Sequence, residues 1–75
     1  MKQITDIPGY GLLMKPSEVS EVTGKPETTL TSERFEGKGL PFVKMGRSVR
    51  YRKQDVLDYI NANTFRSTAE AKAAA

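Results

Sequence analysis

Proline and glycine cut the first half of this chain into pieces too short for anything but small helices and turns. Pro16 suits a first helical turn, Glu18 and Glu21 suit an N-terminal half, and Gly24 suits the position just past a helix end. Together they frame a helix within residues 15–24, on which Val19 and Val22 share one face. A second start follows at once. Pro26 and Glu27 fit its first turn, with Thr28 or Thr29 available as the cap instead. Leu30 and Phe35 are the expected apolar anchors, and Glu36-Gly37-Lys38-Gly39 ends the helix. Thr28, Thr31, Ser32 and Arg34 are expected on its exposed side.

Residues 40–53, LPFVKMGRSVRYRK, change the period from helical to alternating. Successive strand residues face opposite sides of a sheet. With Gly46, Arg47 and Ser48 as a three-residue loop, Met45 lies opposite Val49 and Val43 opposite Tyr51, giving one apolar face. Lys44 then faces Arg50 on the other side, a like-charge pair that costs about 0.2–1 kcal/mol and that a polyanion would relieve. A two-residue loop would set Lys44 beside Val49 and mix the faces, so the longer loop is expected. A charge at Val49 is then expected to unfold the domain.

The same stretch is the basic part of the molecule. Lys38, Lys44, Arg47, Arg50, Arg52 and Lys53 occur without an Asp or Glu among them, so residues 38–53 carry +6 of a net +3 and the remainder sums to −3. Such polarity is the electrostatic footprint of a nucleic-acid binder. The plainer reading is an edge hairpin that uses Lys and Arg against aggregation, but six like charges exceed that need. Hydroxyls of the preceding helix can bond phosphate or base edges, and Arg34 can bond guanine in the major groove. An ordinary polar helix face is the plainer reading there, and Glu27, Glu33 and Glu36 count against dense phosphate contact.

Seventy-five residues make one small domain near the size where a single core is just sufficient. With no cysteine and no histidine, a disulfide framework, a thiolate metal site and the commonest general base are all missing. No catalytic role, cofactor or metal is therefore expected. No apolar run is long enough for a signal peptide or membrane span, so a soluble cytoplasmic protein is expected.

Residues 1–11 read as an arm draped over the core, with Ile4, Ile7 and Tyr10 lacking helical spacing and Pro8-Gly9 making a turn. Leu12 and Leu13 are the first expected core residues of a domain spanning residues 12–63. After the hairpin, residues 54–63 form a helix that closes the core, with Val56, Leu57 and Ile60 on its apolar face and Asp55 near its start. Tyr51 and Tyr59 can stack on bases, but at these spacings core packing is the better reading. Residues 64–75 lack an apolar stripe and read as a frayed, flexible alanine-rich tail, with Phe65 the last residue to pack. The fold class is mainly α with a small β-hairpin: two short helices, a basic hairpin wing and a C-terminal helix, the order of a winged helix-turn-helix.

LLMKPSEVSEVTG followed by GLPFVKMGRSVRYRKQDVLDYI resembles the MerR-like excisionase group of small phage and mobile-element proteins, which includes AlpA-like regulators and recombination directionality factors. The resemblance covers residues 12–60. Its most specific part is residues 39–60, where Gly-Leu-Pro, the Gly-Arg turn and the Val-Arg-Tyr strand stand in family order. Two features depart from it. Phe35 follows Gly24 by eleven residues where the family places an aromatic after about nine, and Lys15 replaces the usual hydroxyl or acidic cap. The resemblance implies that the second helix enters the major groove while the wing reaches backbone or minor groove. That assigns DNA contacts to Thr28, Thr31, Ser32 and Arg34, and to Lys44, Arg47, Ser48, Arg50 and Arg52 of the hairpin, Arg47 at the tip foremost.

The function this implies is a DNA-binding excisionase without catalytic activity. It would bind repeated attachment sites by cooperative self-association, bend double-stranded DNA and assist a tyrosine recombinase (integrase). One small module buries only about 600–1,000 Å² on DNA, which is consistent with a need for several copies. The alternatives are an AlpA-like transcriptional regulator, the DNA-binding part of a phage terminase small subunit, and a protein-interaction adaptor that binds no DNA.

Overall fold

The computed structural model describes residues 3–74; Met1, Lys2 and Ala75, the ends of the expected arm and tail, lie outside the described residues. Four helices and a three-stranded antiparallel sheet make a small domain, about half helical, compatible with a helix-turn-helix-like arrangement. The order is β1 (Leu13–Met14), α1 (Pro16–Thr23), α2 (Glu27–Glu36), β2 (Val43–Met45), β3 (Ser48–Arg52), α3 (Lys53–Ala62) and α4 (Thr68–Ala74).

The proline and glycine punctuation sets the first two helices. Pro16 opens α1, and the Glu18 carboxylate accepts the Lys15 backbone N–H at 2.8 Å. Lysine has no acceptor to return, so only half of a capping box forms. Gly24, left-handed at φ 77°, donates its N–H to Ser20 O and ends α1. Pro26 caps α2, and Gly37 stops it in a Schellman arrangement: Gly37 N–H bonds Arg34 O and Lys38 N–H bonds Glu33 O. α3 starts where β3 stops. Lys53 N–H donates to Leu12 O at 2.8 Å, so the sheet ladder runs into the first turn of the helix.

The core comprises Ile7, Met14, Val19, Leu30, Leu40, Tyr51, Val56 and Leu57, with Val22, Val49, Tyr59 and Ile60 packed against it. Ile7 brings in the N-terminal arm as expected. Asn61 holds that arm twice, accepting from Ile4 N–H and donating to Ile4 O, and Lys53 pairs with Asp6 at 3.0 Å.

Several expectations are corrected. Leu12 is 79% exposed and Leu13 more than one-third exposed; Met14 is the core residue. The cause is an unforeseen strand. β1 pairs with β3, Met14 opposite Tyr51 and Leu13 opposite Arg52, so alternation turns Met14 inward and Leu13 outward. Phe35 is no anchor: it is 89% exposed. Five residues past Leu30 it lies about 140° around the helix, whereas Arg34, four past, shares the covered side. Residues 68–74, expected as frayed chain, form α4, with Ser67 Oγ accepting the Glu70 N–H at 3.1 Å. Ser-x-x-Glu is an N-capping signature.

The hairpin register also differs. Its loop is two residues, Gly46 and Arg47, pairing Met45 with Ser48, Lys44 with Val49 and Val43 with Arg50. Gly46 has φ 62° and Arg47 does not have positive φ, the arrangement of a II′ turn with glycine first. Phe42, Lys44, Val49 and Tyr51 therefore share the core side of the sheet, and Leu13, Val43, Met45, Ser48, Arg50 and Arg52 the outer side. Both faces are mixed, and Lys44 and Arg50 are not opposed.

Candidate nucleic-acid interface

Two surfaces carry the residues that the sequence singled out: the outer side of α2 and the hairpin. On α2, Thr28, Ser32 and Phe35 follow one another at i, i+4 and i+7 and form one exposed stripe opposite Leu30. Thr31 is exposed at the flank of this stripe, but its hydroxyl is engaged. It donates to Glu27 O at 3.0 Å and accepts from Arg34 Nη2 at 3.2 Å.

Arg34 is turned inward. Its Nη1 donates to the Tyr51 hydroxyl at 2.6 Å, and its guanidinium carbon lies 5.9 Å from the ring centres of both Phe42 and Tyr51. The expectation of a guanidinium reaching out from α2 to guanine is corrected by the same helical angle that exposes Phe35. Tyr51 is 1% exposed, so Arg34 supplies the partner that a buried phenol requires.

The hairpin's six-charge field is partly neutralised. Arg52 makes a two-pronged pair with Asp55, Nε to Oδ2 at 2.7 Å and Nη2 to Oδ1 at 3.0 Å, and this carboxylate holds the guanidinium above its ordinary range. Lys53 is paired with Asp6, and Lys38 lies 3.5 Å from Glu36. Arg50 is half-buried on the outer face and donates to the Val49 carbonyl at 2.8 Å. Lys44 and Arg47 are exposed and have no acidic or hydrogen-bonding partner among the described residues. Ser48 is exposed beside them.

No family model, curated protein or solved structure matches this chain. Its chemistry must therefore be read from these two surfaces. Lys44 stands on the same sheet face as Phe42 and Tyr51, against which Arg34 of α2 rests, two cross-strand pairs nearer the tip. Thus Lys44 lies on the side of the sheet that α2 occupies, Arg50 and Arg52 lie on its other face, and Arg47 is at the exposed tip between the strands.

Beneath α2 a second contact fixes its other edge. Lys25 Nζ lies 2.8 Å from both Glu33 oxygens and 4.9 Å from the Tyr59 ring centre. Burial pulls the Lys25 amine down, but the Glu33 carboxylate and Tyr59 outweigh it and hold the amine above its ordinary value. Glu33 is thereby removed from the exposed stripe. Of the three acids that counted against phosphate contact, Glu27 and Glu36 remain exposed. Tyr59 and Tyr51 are structural, as their spacing indicated. The sequence reading missed Phe35 as a surface residue, and its i+7 spacing from Thr28 was the available signal.

Among the described residues no group of three or more His, Cys, Asp or Glu is placed to hold a metal ion, and no helix is long and apolar enough to cross a membrane.

Proposed function

We propose that this chain is a site-specific double-stranded DNA-binding protein of winged helix-turn-helix type, with α2 in the major groove and the hairpin as the wing. The observation that carries this is the placement of Lys44 and Arg47. They are the exposed hairpin cations left without acids, and Lys44 faces the side occupied by α2. Unpaired lysine and arginine at a hairpin tip suit phosphate, where each neutralised charge releases counterions. The α2 stripe supplies the sequence-reading chemistry: hydroxyls from Thr28 and Ser32, and an aromatic ring, Phe35, suited to a thymine methyl group. Arg50, Arg52 and Arg34 have lesser or indirect parts in this reading.

The resemblance of residues 39–60 to MerR-like excisionases extends the proposal to the task. The protein would be a recombination directionality factor, assembling in several copies on attachment-site DNA beside a tyrosine recombinase. A gel-shift titration on DNA from the attachment region of its own element, against unrelated DNA at two salt concentrations, tests both levels. Stepwise, salt-sensitive complexes on attachment DNA support the excisionase reading. Single complexes on a promoter favour an AlpA-like regulator, and salt-insensitive or absent binding leaves an adaptor.

A further inference from the structure

We propose that Arg34 is a positioning residue, a strut that sets the angle between α2 and the hairpin. Three elements meet on its guanidinium. It leaves α2, donates to Tyr51 of β3 at 2.6 Å, and lies 5.9 Å from Phe42, which leads into β2. Its second amino group is held one turn back on α2 by Thr31 at 3.2 Å. A planar guanidinium fixed at both ends transmits orientation as well as attraction.

Leu30 of α2 and Tyr51 of β3 share the core, and among the polar contacts of α2 at the described residues Arg34 makes the one that reaches the hairpin. α2 joins α1 through residues 24–26, and the Lys25–Glu33 pair ties its other edge toward Tyr59 of α3. Neither reaches the hairpin. The chain between Gly37 and Val43 is without helix or strand and is anchored through the buried Leu40, so Arg34 adds a directional contact where the connection supplies an apolar one. The acceptors are also neutral. Among the described residues no carboxylate pairs with Arg34, so the strut ties α2 to the basic hairpin without its charge being answered by an acid.

For DNA binding the consequence rests on the function proposed above. If α2 enters a groove and Lys44 and Arg47 reach phosphate, the angle between them decides whether both engage at once. Tyr51→Phe removes only the hydroxyl and keeps the ring in the core, so the fold survives. Arg34→Gln removes the charge and most of the reach.

The test has two arms. Because the chain contains no cysteine, Thr29→Cys and Met45→Cys place unique spin labels on α2 and β2. Electron–electron distance measurements are then made on free protein with and without each strut substitution. The expected result is one narrow distribution in the parent and a broadened one in both Arg34→Gln and Tyr51→Phe; unchanged distributions overturn the strut. In the second arm, binding to sheared mixed-sequence double-stranded DNA is titrated against salt with unlabelled protein. Tyr51→Phe is expected to weaken binding about tenfold, the scale of one charge-assisted hydrogen bond, without changing the salt slope. Arg34→Gln combined with Tyr51→Phe is expected to be no worse than Arg34→Gln alone. Additive losses, or wild-type binding by Tyr51→Phe, overturn the role in binding. If the parent protein ignores DNA, the proposed function fails, and the distance arm still decides the strut.

Discussion

Gly39→Ala is expected to destabilise the domain far more than a surface loop substitution should. Gly39 has φ 82°, and a Cβ built there meets Glu33 Oε1 at 2.6 Å, Cδ at 2.8 Å and Cβ at 3.0 Å. The left-handed backbone alone costs an L-residue about 1–2 kcal/mol, and the lower entropy of the unfolded chain offsets about 0.4–1 kcal/mol of it. Glu33 has little room to yield, since Lys25 clamps both its oxygens. Forcing it aside loses about 1 kcal/mol for that mostly covered ion pair. The sum is about 2 kcal/mol, or a fall of about 8–16 °C in Tm for a domain of this size. Gly46→Ala is the control. It shares positive φ, at 62°, but has open space around its Cβ, so its cost is about 1 kcal/mol. Thermal and urea unfolding of both variants, and of Gly39→Ala in a Glu33→Ala background, gives the comparison. Most of the excess at Gly39 should vanish without the Glu33 carboxylate. Equal losses for the two glycines, or an excess that persists without that carboxylate, would refute the reasoning.

Three further substitutions or conditions separate the structure from its plausible rivals. Phe35→Ala should change stability by less than about 0.5 kcal/mol by denaturant titration, because the ring is 89% exposed; a loss of about 3–5 kcal/mol would return it to the core. Val49→Asp should remain folded by circular dichroism, since Val49 is half-buried and stands opposite Lys44, whereas Val56→Asp, fully buried, should unfold. An unfolded Val49→Asp would restore the three-residue loop register. Finally, hydrogen bonds from Lys53 and from the Ile7 backbone hold the Asp6 carboxyl below its ordinary value of 3.8. A depressed carboxylate contributes stability above its unfolded value that is lost as pH falls through the folded one. The Ile4 and Ile7 amide resonances should therefore shift together on acidification below about pH 4, and Asp6→Asn should abolish that shift. An unaltered transition in the variant would exclude the Asp6–Lys53 clip as its cause.

The three main helices were legible because their signals are local: Pro16 and Gly24, Pro26 and Gly37, and Asp55 followed by Val56 and Leu57 each mark a boundary or a face within a few residues. Local signals also placed Arg47 at the hairpin tip. What failed depended on partners far along the chain. β1 is two residues long and exists through its pairing with β3, almost forty residues away, so nothing near Leu13 announces it. The hairpin alternation was read as a single apolar face, but the sheet is not sorted that way. Val43 and Met45 sit on the outer face, as Leu13 does two strands away, while Lys44 lies along Val49, a placement its long apolar stem allows. Charge counting found the basic end of the molecule and could not see that Arg52 and Lys53 are answered by Asp55 and Asp6. Arg34 and Phe35 exchanged roles for one geometric reason, a helical step of 100°.

The central claim is that Lys44 and Arg47 meet the phosphates of double-stranded DNA, and the salt dependence of binding tests it most directly. Fluorescence anisotropy across a salt series should give log K falling linearly with log salt for the parent protein. Lys44→Ala combined with Arg47→Ala should make that slope shallower by about 1.8, two contacts at about 0.9 each, with unchanged thermal stability. A parent slope near zero, or one that the double substitution leaves intact, would contradict the account.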